Sequence, residues 1–64
     1  MREVELWSRM NQALGPDYAP TWAGHVSLAE LQGRTVAEAL AAGVPHKKIW
    51  LAVWQQLELP MNQR

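Results

Sequence analysis

Thr35-Val36-Ala37-Glu38-Ala39-Leu40-Ala41-Ala42-Gly43-Val44-Pro45-His46-Lys47-Lys48-Ile49-Trp50-Leu51-Ala52-Val53-Trp54 contains the start and stop of one helix and the start of another. Thr35-Val36-Ala37-Glu38 matches a capping box, in which the Thr hydroxyl and the Glu carboxylate each take up a backbone amide left free at a helix start. The helix it opens is short and rich in alanine, and is expected to end at Ala42. Gly43 then supplies a left-handed cap, with Val44 placed to fold back on the last turn. Pro45 stops continuation and suits the start of the next helix. From there Ile49, Val53 and Leu57 fall on one helical face with Trp50 and Trp54 beside them, predicting a helix to about Leu57. A short helix, a Gly-containing turn and a longer helix are the outline of a helix-turn-helix. The same spacing also packs any two-helix corner, so the stretch predicts an all-α fold whichever use it serves.

Working outward, Val4, Trp7, Met10 and Leu14 recur at helical steps, predicting a first helix from Arg2 to Leu14 with that stripe inward. Gly15 and Pro16 end it. Between Asp17 and Gln32 the pattern is weaker. Asp17 is a candidate N-cap with Pro20 in the first turn, and Tyr18, Trp22, Val26 and Ala29 follow a four-four-three rhythm extended by Leu28 and Leu31. Gly24 costs about 1 kcal/mol in a helix interior, so the segment reads as one helix or as two broken near Gly24-His25. Pro60 ends the last helix, and Met61 to Arg64 is expected to be a frayed tail. No strand pattern or repeat appears. The expectation is one domain over residues 1–64: a compact bundle of three to four short helices, with a helix-turn-helix-like C-terminal pair and the last helix central.

A chain of 64 residues hides only about 60% of the surface its unfolded form exposes, so each large apolar side chain counts. Four tryptophans (Trp7, Trp22, Trp50, Trp54) meet that need, since each buries roughly 150–250 Å². The absence of cysteine removes disulfides and thiolate chemistry, and favours a reducing compartment. The charged start of the chain does not read as a signal peptide, and no apolar run approaches the roughly 20 residues that span a bilayer. A cytoplasmic protein without membrane contact is expected. Six Lys and Arg balance six Asp and Glu. Nucleic-acid binders usually carry a basic excess, so the balance weighs against that class. Near-neutral chains also self-associate more readily, which keeps a weak homodimer among the expected partners.

No constellation for catalysis, metal or cofactor emerges. His25 and His46 are the only histidines, and neither has a second ligand at metal-binding spacing. Glu38 is used by the capping box, while Glu3 and Glu5 sit at the positive end of the first helix dipole. The chain is therefore expected not to be an enzyme. Trp50 and Trp54 lie one turn apart, and Ile49, Val53 and Leu57 already form an inward stripe. Burying both stripes requires a helix surrounded on most sides; otherwise Trp54 joins Leu51 in an exposed apolar patch of the kind found at binding hot spots. The leading expectation is a partner-binding surface on another cytoplasmic protein, formed by Trp54 and Leu51 and rimmed by Arg34, Lys47 and Lys48. The alternative is a helix-turn-helix that contacts nucleic acid through Arg34, His46, Lys47 and Lys48.

Several motifs together carry a family likeness: Arg2, Trp7, Gly15-Pro16-Asp17-Tyr18-Ala19, Gly33-Arg34-Thr35, Glu38-Ala39-Leu40-Ala41-Ala42-Gly43, Ile49-Trp50-Leu51-Ala52 and Leu59-Pro60. With these the chain resembles a short actinobacterial domain-of-unknown-function family, number 3046, over nearly its whole length. The resemblance implies a single-domain cytoplasmic actinobacterial protein and brings no activity with it.

Overall fold

The capping box forms as read from the sequence. Thr35 Oγ1 accepts from the Glu38 amide (3.1 Å), and the Thr35 amide donates to Glu38 Oε1 (2.8 Å). In this computed structural model, which describes all 64 residues, four α-helices follow one another: α1 (Glu3–Leu14), α2 (Ala19–His25), α3 (Val36–Ala41) and α4 (His46–Gln56). Short 3-10 turns stand at Ala29–Leu31 and Met61–Gln63. Thr35 is the one polar residue in the core, so losing its hydroxyl removes a cap with no water at hand to replace it. Thr35→Ala should lower stability by about 1 kcal/mol, measured by urea unfolding. Glu38→Ala on top of it should add little, because the two side chains work reciprocally.

At the end of α3 the expected reversal is complete. Gly43 takes φ +80°; its amide donates to the Leu40 carbonyl (3.2 Å) and that of Val44 to the Ala39 carbonyl (3.0 Å). This is the paired hydrogen bonding of a Schellman motif. The end of α4 repeats it without glycine. Glu58 and Leu59 donate to the carbonyls of Gln55 (3.2 Å) and Trp54 (3.1 Å), with Glu58 at φ +53°. A side chain in that conformation is strained, whereas Gly is not, although Gly gives back part of the gain as chain entropy. Glu58→Gly should therefore stabilise the fold by up to about 1 kcal/mol, seen as a raised thermal midpoint.

The core gathers Leu6 and Met10 from α1, Ala19, Trp22 and Ala23 from α2, Val36 and Ala39 from α3, and Ile49, Trp50, Ala52 and Val53 from α4. Leu28 and Leu31 close it from the connecting loop. α4 packs against α1, α3 and the Ala29–Leu31 turn, which gives it the central place expected. Trp7, predicted inward, is half-buried, and its indole N–H donates to Glu3 Oε2 (3.3 Å) along α1.

Two local expectations are corrected, and the break left open near Gly24-His25 is found. The inward stripe of α1 is not led by Val4, which is 64% exposed; Leu6 is fully buried in its place. Both registers are helical, and docking on α4 selects Leu6 with Met10. Asp17 does not cap α2, because its target amides are spoken for: the Ala19 amide donates to the Gly15 carbonyl (2.9 Å), and Pro20 has no N–H. Tyr18 consequently stays 53% exposed, and the buried set of α2 is Ala19, Trp22 and Ala23. Finally, residues 17–32 contain only one α-helix. It stops at His25, and the chain then runs extended through Leu28, whose amide donates to the Arg34 carbonyl (3.0 Å) in an isolated antiparallel bridge. The bridge pinches off a loop that holds Leu31 in the core and presents Glu30 and Arg34 beside α4.

The tail is also different from the expectation. Met61 to Arg64 does not fray but folds back over α4 as a strap. The indole N–H of Trp54 donates to the Pro60 carbonyl (2.9 Å), and that of Trp50 to the carbonyls of Gln63 (3.1 Å) and Arg64 (3.2 Å). Lys47 Nζ and Arg9 Nη1 also donate to the Arg64 carbonyl, at 3.0 and 3.1 Å. The physical reason is that indole N–H groups near a core need acceptors, and the carbonyls of α4 are already used within the helix.

Candidate functional site

The strap decides the fate of the two tryptophans on α4. Trp50 is 1% exposed, with the Arg9 guanidinium 5.6 Å from its ring centre. Trp54 is half-buried and packed against the core, and the Arg64 guanidinium lies 5.3 Å from its ring centre. A cation over an indole face is attracted by the ring quadrupole, so both arginines are held in place by the rings they cover. Trp54 is therefore neither wholly core nor a bare patch. One edge of it carries the strap and the other borders a depression.

That depression, about 260 Å³, is shallow and open, and is lined by Lys48, Leu51, Trp54 and Gln55 of α4 together with Glu30 and Arg64. A second, of about 190 Å³, adjoins it and is lined by Leu31, Arg34 and Val44. Glu30 and Lys48 border both, so the two form one continuous surface. Each depression by itself is smaller than the roughly 300–1,000 Å³ of pockets for whole small molecules.

Of the residues singled out in the sequence, Leu51, Trp54, Lys48 and Arg34 are brought together on this surface. Lys47 is not. It lines neither depression, and its ammonium is turned to the Arg64 carbonyl. His46 is half-buried with Nδ1 3.3 Å from the Met1 carbonyl, and His25 Nδ1 lies 2.8 Å from the Thr21 carbonyl. Glu30 and Arg64 were not anticipated. For Arg64 a usable signal existed: Trp50 and Trp54 need acceptors from outside α4, and the segment after Pro60 is the nearest in sequence. For Glu30 there was none, because its position follows from the Leu28–Arg34 bridge.

The charges on this surface are unpaired. The one side-chain ion pair in the chain joins Arg2 Nε to Glu5 Oε1 at 3.7 Å, far along the sequence from α4. Around the depressions Arg34, Lys48 and Arg64 face a single carboxylate, Glu30, although the whole chain is neutral. The first turn of α4 likewise carries His46, Lys47 and Lys48 and no acidic residue. Cations at a helix N-terminus oppose the macrodipole, at roughly 0.3–1 kcal/mol each when exposed.

No helix is long and apolar enough to cross a membrane. These features define a small four-helix protein with an apolar notch on its central helix, edged by cations and by its own strap. The chain belongs to the DUF3046 family, proteins of unknown function, whose model matches residues 1–62. Comparison with curated proteins and with solved structures finds no match for this chain.

Proposed function

We propose that this protein is a non-enzymatic interaction module that docks on another protein through the notch between Leu51 and Trp54. The observation that carries the reading is the half-buried apolar pair lining an open depression with Lys48 and Arg64, with Arg34 on the adjoining one. An apolar anchor within a polar rim is the anatomy of a protein interface, where aromatic residues and arginine dominate the energy. Trp54→Ala would be an ambiguous probe, since it also removes the donor to Pro60 and the ring under Arg64. Leu51 has no such second task. A photo-reactive side chain at position 51 should crosslink one partner in the native cell, and the same label at exposed Val4 should not. Leu51→Arg should abolish co-purification of that partner with the helix signal in circular dichroism unchanged. Co-purification that survives Leu51→Arg counts against the reading.

A second reading, nucleic-acid binding, is favoured by the helix-turn-helix outline of α3 and α4 and would use Arg34, His46, Lys47 and Lys48. Two of these have their polar atoms on main-chain carbonyls, and Glu30 stands where a phosphate would approach Lys48. This reading requires duplex DNA to shift with steep salt dependence, and the shift to vanish in a Lys47→Ala, Lys48→Ala double variant. Absence of any shift at low salt removes it. A homodimer through the same notch requires concentration-dependent sedimentation that Leu51→Arg abolishes.

A further inference from the structure

We infer that the docked partner presents an acidic segment with one apolar anchor, and that the Pro60–Arg64 strap completes the site that receives it. The inference rests on the docking reading above and names the partner's chemistry. Its first support is charge complementarity. Lys48 and Arg64 border the notch and Arg34 the adjoining depression, none with a carboxylate in ion-pair contact, and Glu30 is the one negative group among them. Carboxylates flanking an apolar side chain seated between Leu51 and Trp54 would meet these cations, and complementary charge sets both the rate and the choice of partner. A basic segment would meet repulsion from three sides, and like charges across an interface are a strong means of rejection. A nucleic acid fits less well, because the centre of the surface is apolar and Glu30 repels phosphate.

The second support is the way Arg64 is held. Its guanidinium lies over Trp54 and lines the notch, while its carbonyl is fixed by Trp50, Lys47 and Arg9. Every side chain from Pro60 to Arg64 is exposed, so the strap is held mainly by donors on its carbonyls and not by burial of its own side chains. Such a segment opens locally at far lower cost than the core. When it opens, one of the three cations leaves the notch. Arg64 is thus a specificity residue whose position depends on the donors that hold the end of the strap, the Trp50 indole N–H on Gln63 and Arg64 among them.

The test is selection of random displayed peptides on the full chain, with counter-selection on Leu51→Arg. Leu51-dependent peptides rich in Asp and Glu around an aliphatic or aromatic residue are expected. Lys48→Gln and Arg64→Gln should each weaken such a peptide roughly two- to fivefold, as exposed charge pairs do, without lowering the thermal midpoint in the case of Lys48→Gln. Trp50 lines neither depression, and Trp50→Phe, which keeps an aromatic ring but loses the donor to Gln63 and Arg64, should weaken it about as much as Arg64→Gln, and the double variant should be little worse than either. Leu51-dependent peptides that are neutral or basic would overturn the acidic partner and leave docking standing. Acidic peptides indifferent to both Arg64→Gln and Trp50→Phe would overturn the strap's part. Finding no Leu51-dependent peptide would remove the docking reading itself, and displacement of bound peptide by duplex DNA at low salt would point to nucleic acid.

Discussion

Trp50→Ala should leave the protein largely unfolded or with its urea midpoint sharply reduced at 25 °C. Trp50 is 1% exposed at the centre of the core, and truncating a buried aromatic typically costs about 3–5 kcal/mol. A chain of this length has roughly 3–10 kcal/mol of stability in total, so that loss is most or all of it. Trp50→Phe separates packing from hydrogen bonding. It keeps an aromatic ring but removes the N–H that serves Gln63 and Arg64, and should cost about 1–2 kcal/mol. The amides of Gln63 and Arg64 should then lose protection in hydrogen exchange while those within α4 keep theirs. If Trp50→Ala unfolds no more readily than Trp50→Phe, the ring is not the anchor described here.

The second large effect concerns the face that α1 turns inward. Leu6→Ala should cost about 2–5 kcal/mol, since Leu6 is fully buried between helices. Val4→Ala, two residues away and 64% exposed, should change stability by no more than about 0.5 kcal/mol. Paired urea titrations decide the matter. Equal costs, or a larger one at Val4, would mean that α1 sits rotated towards the stripe that periodicity alone suggested.

These two results bear on the docking surface. Trp50 and Leu6 belong to the rigid part of the molecule, whereas the notch at Leu51 and Trp54 is built on the outer face of α4 and edged by the more easily opened strap. Positioning a binding face on a packed helix keeps Leu51 and Lys48 in place before a partner arrives, which reduces the ordering cost of association. Arg64 is held differently, through donors on the strap's carbonyls and the Trp54 ring.

How much was legible in the sequence can be judged residue by residue. The Thr35–Glu38 box, the Gly43 reversal and a bundle of three to four helices with α4 central were readable, because caps, glycine conformation and helical periodicity act within a few residues of chain. Lys48, Leu51, Trp54 and Arg34 were readable as candidates for the same reason. Two other features had no local signature. The register of α1 depended on which of two helical faces met α4, and the state of Asp17 depended on the Gly15 carbonyl reaching the Ala19 amide first.

What the sequence alone determined, then, is where α1, α3 and α4 begin and end to within a residue or so, since those choices are made by neighbouring residues competing for the same amides and carbonyls. The tertiary structure decided which side of each helix is dry, where Glu30 stands, and that the tail is a strap. Those outcomes arise between distant parts of the chain: two indole N–H groups on α4 find acceptors only when residues 60–64 return to them.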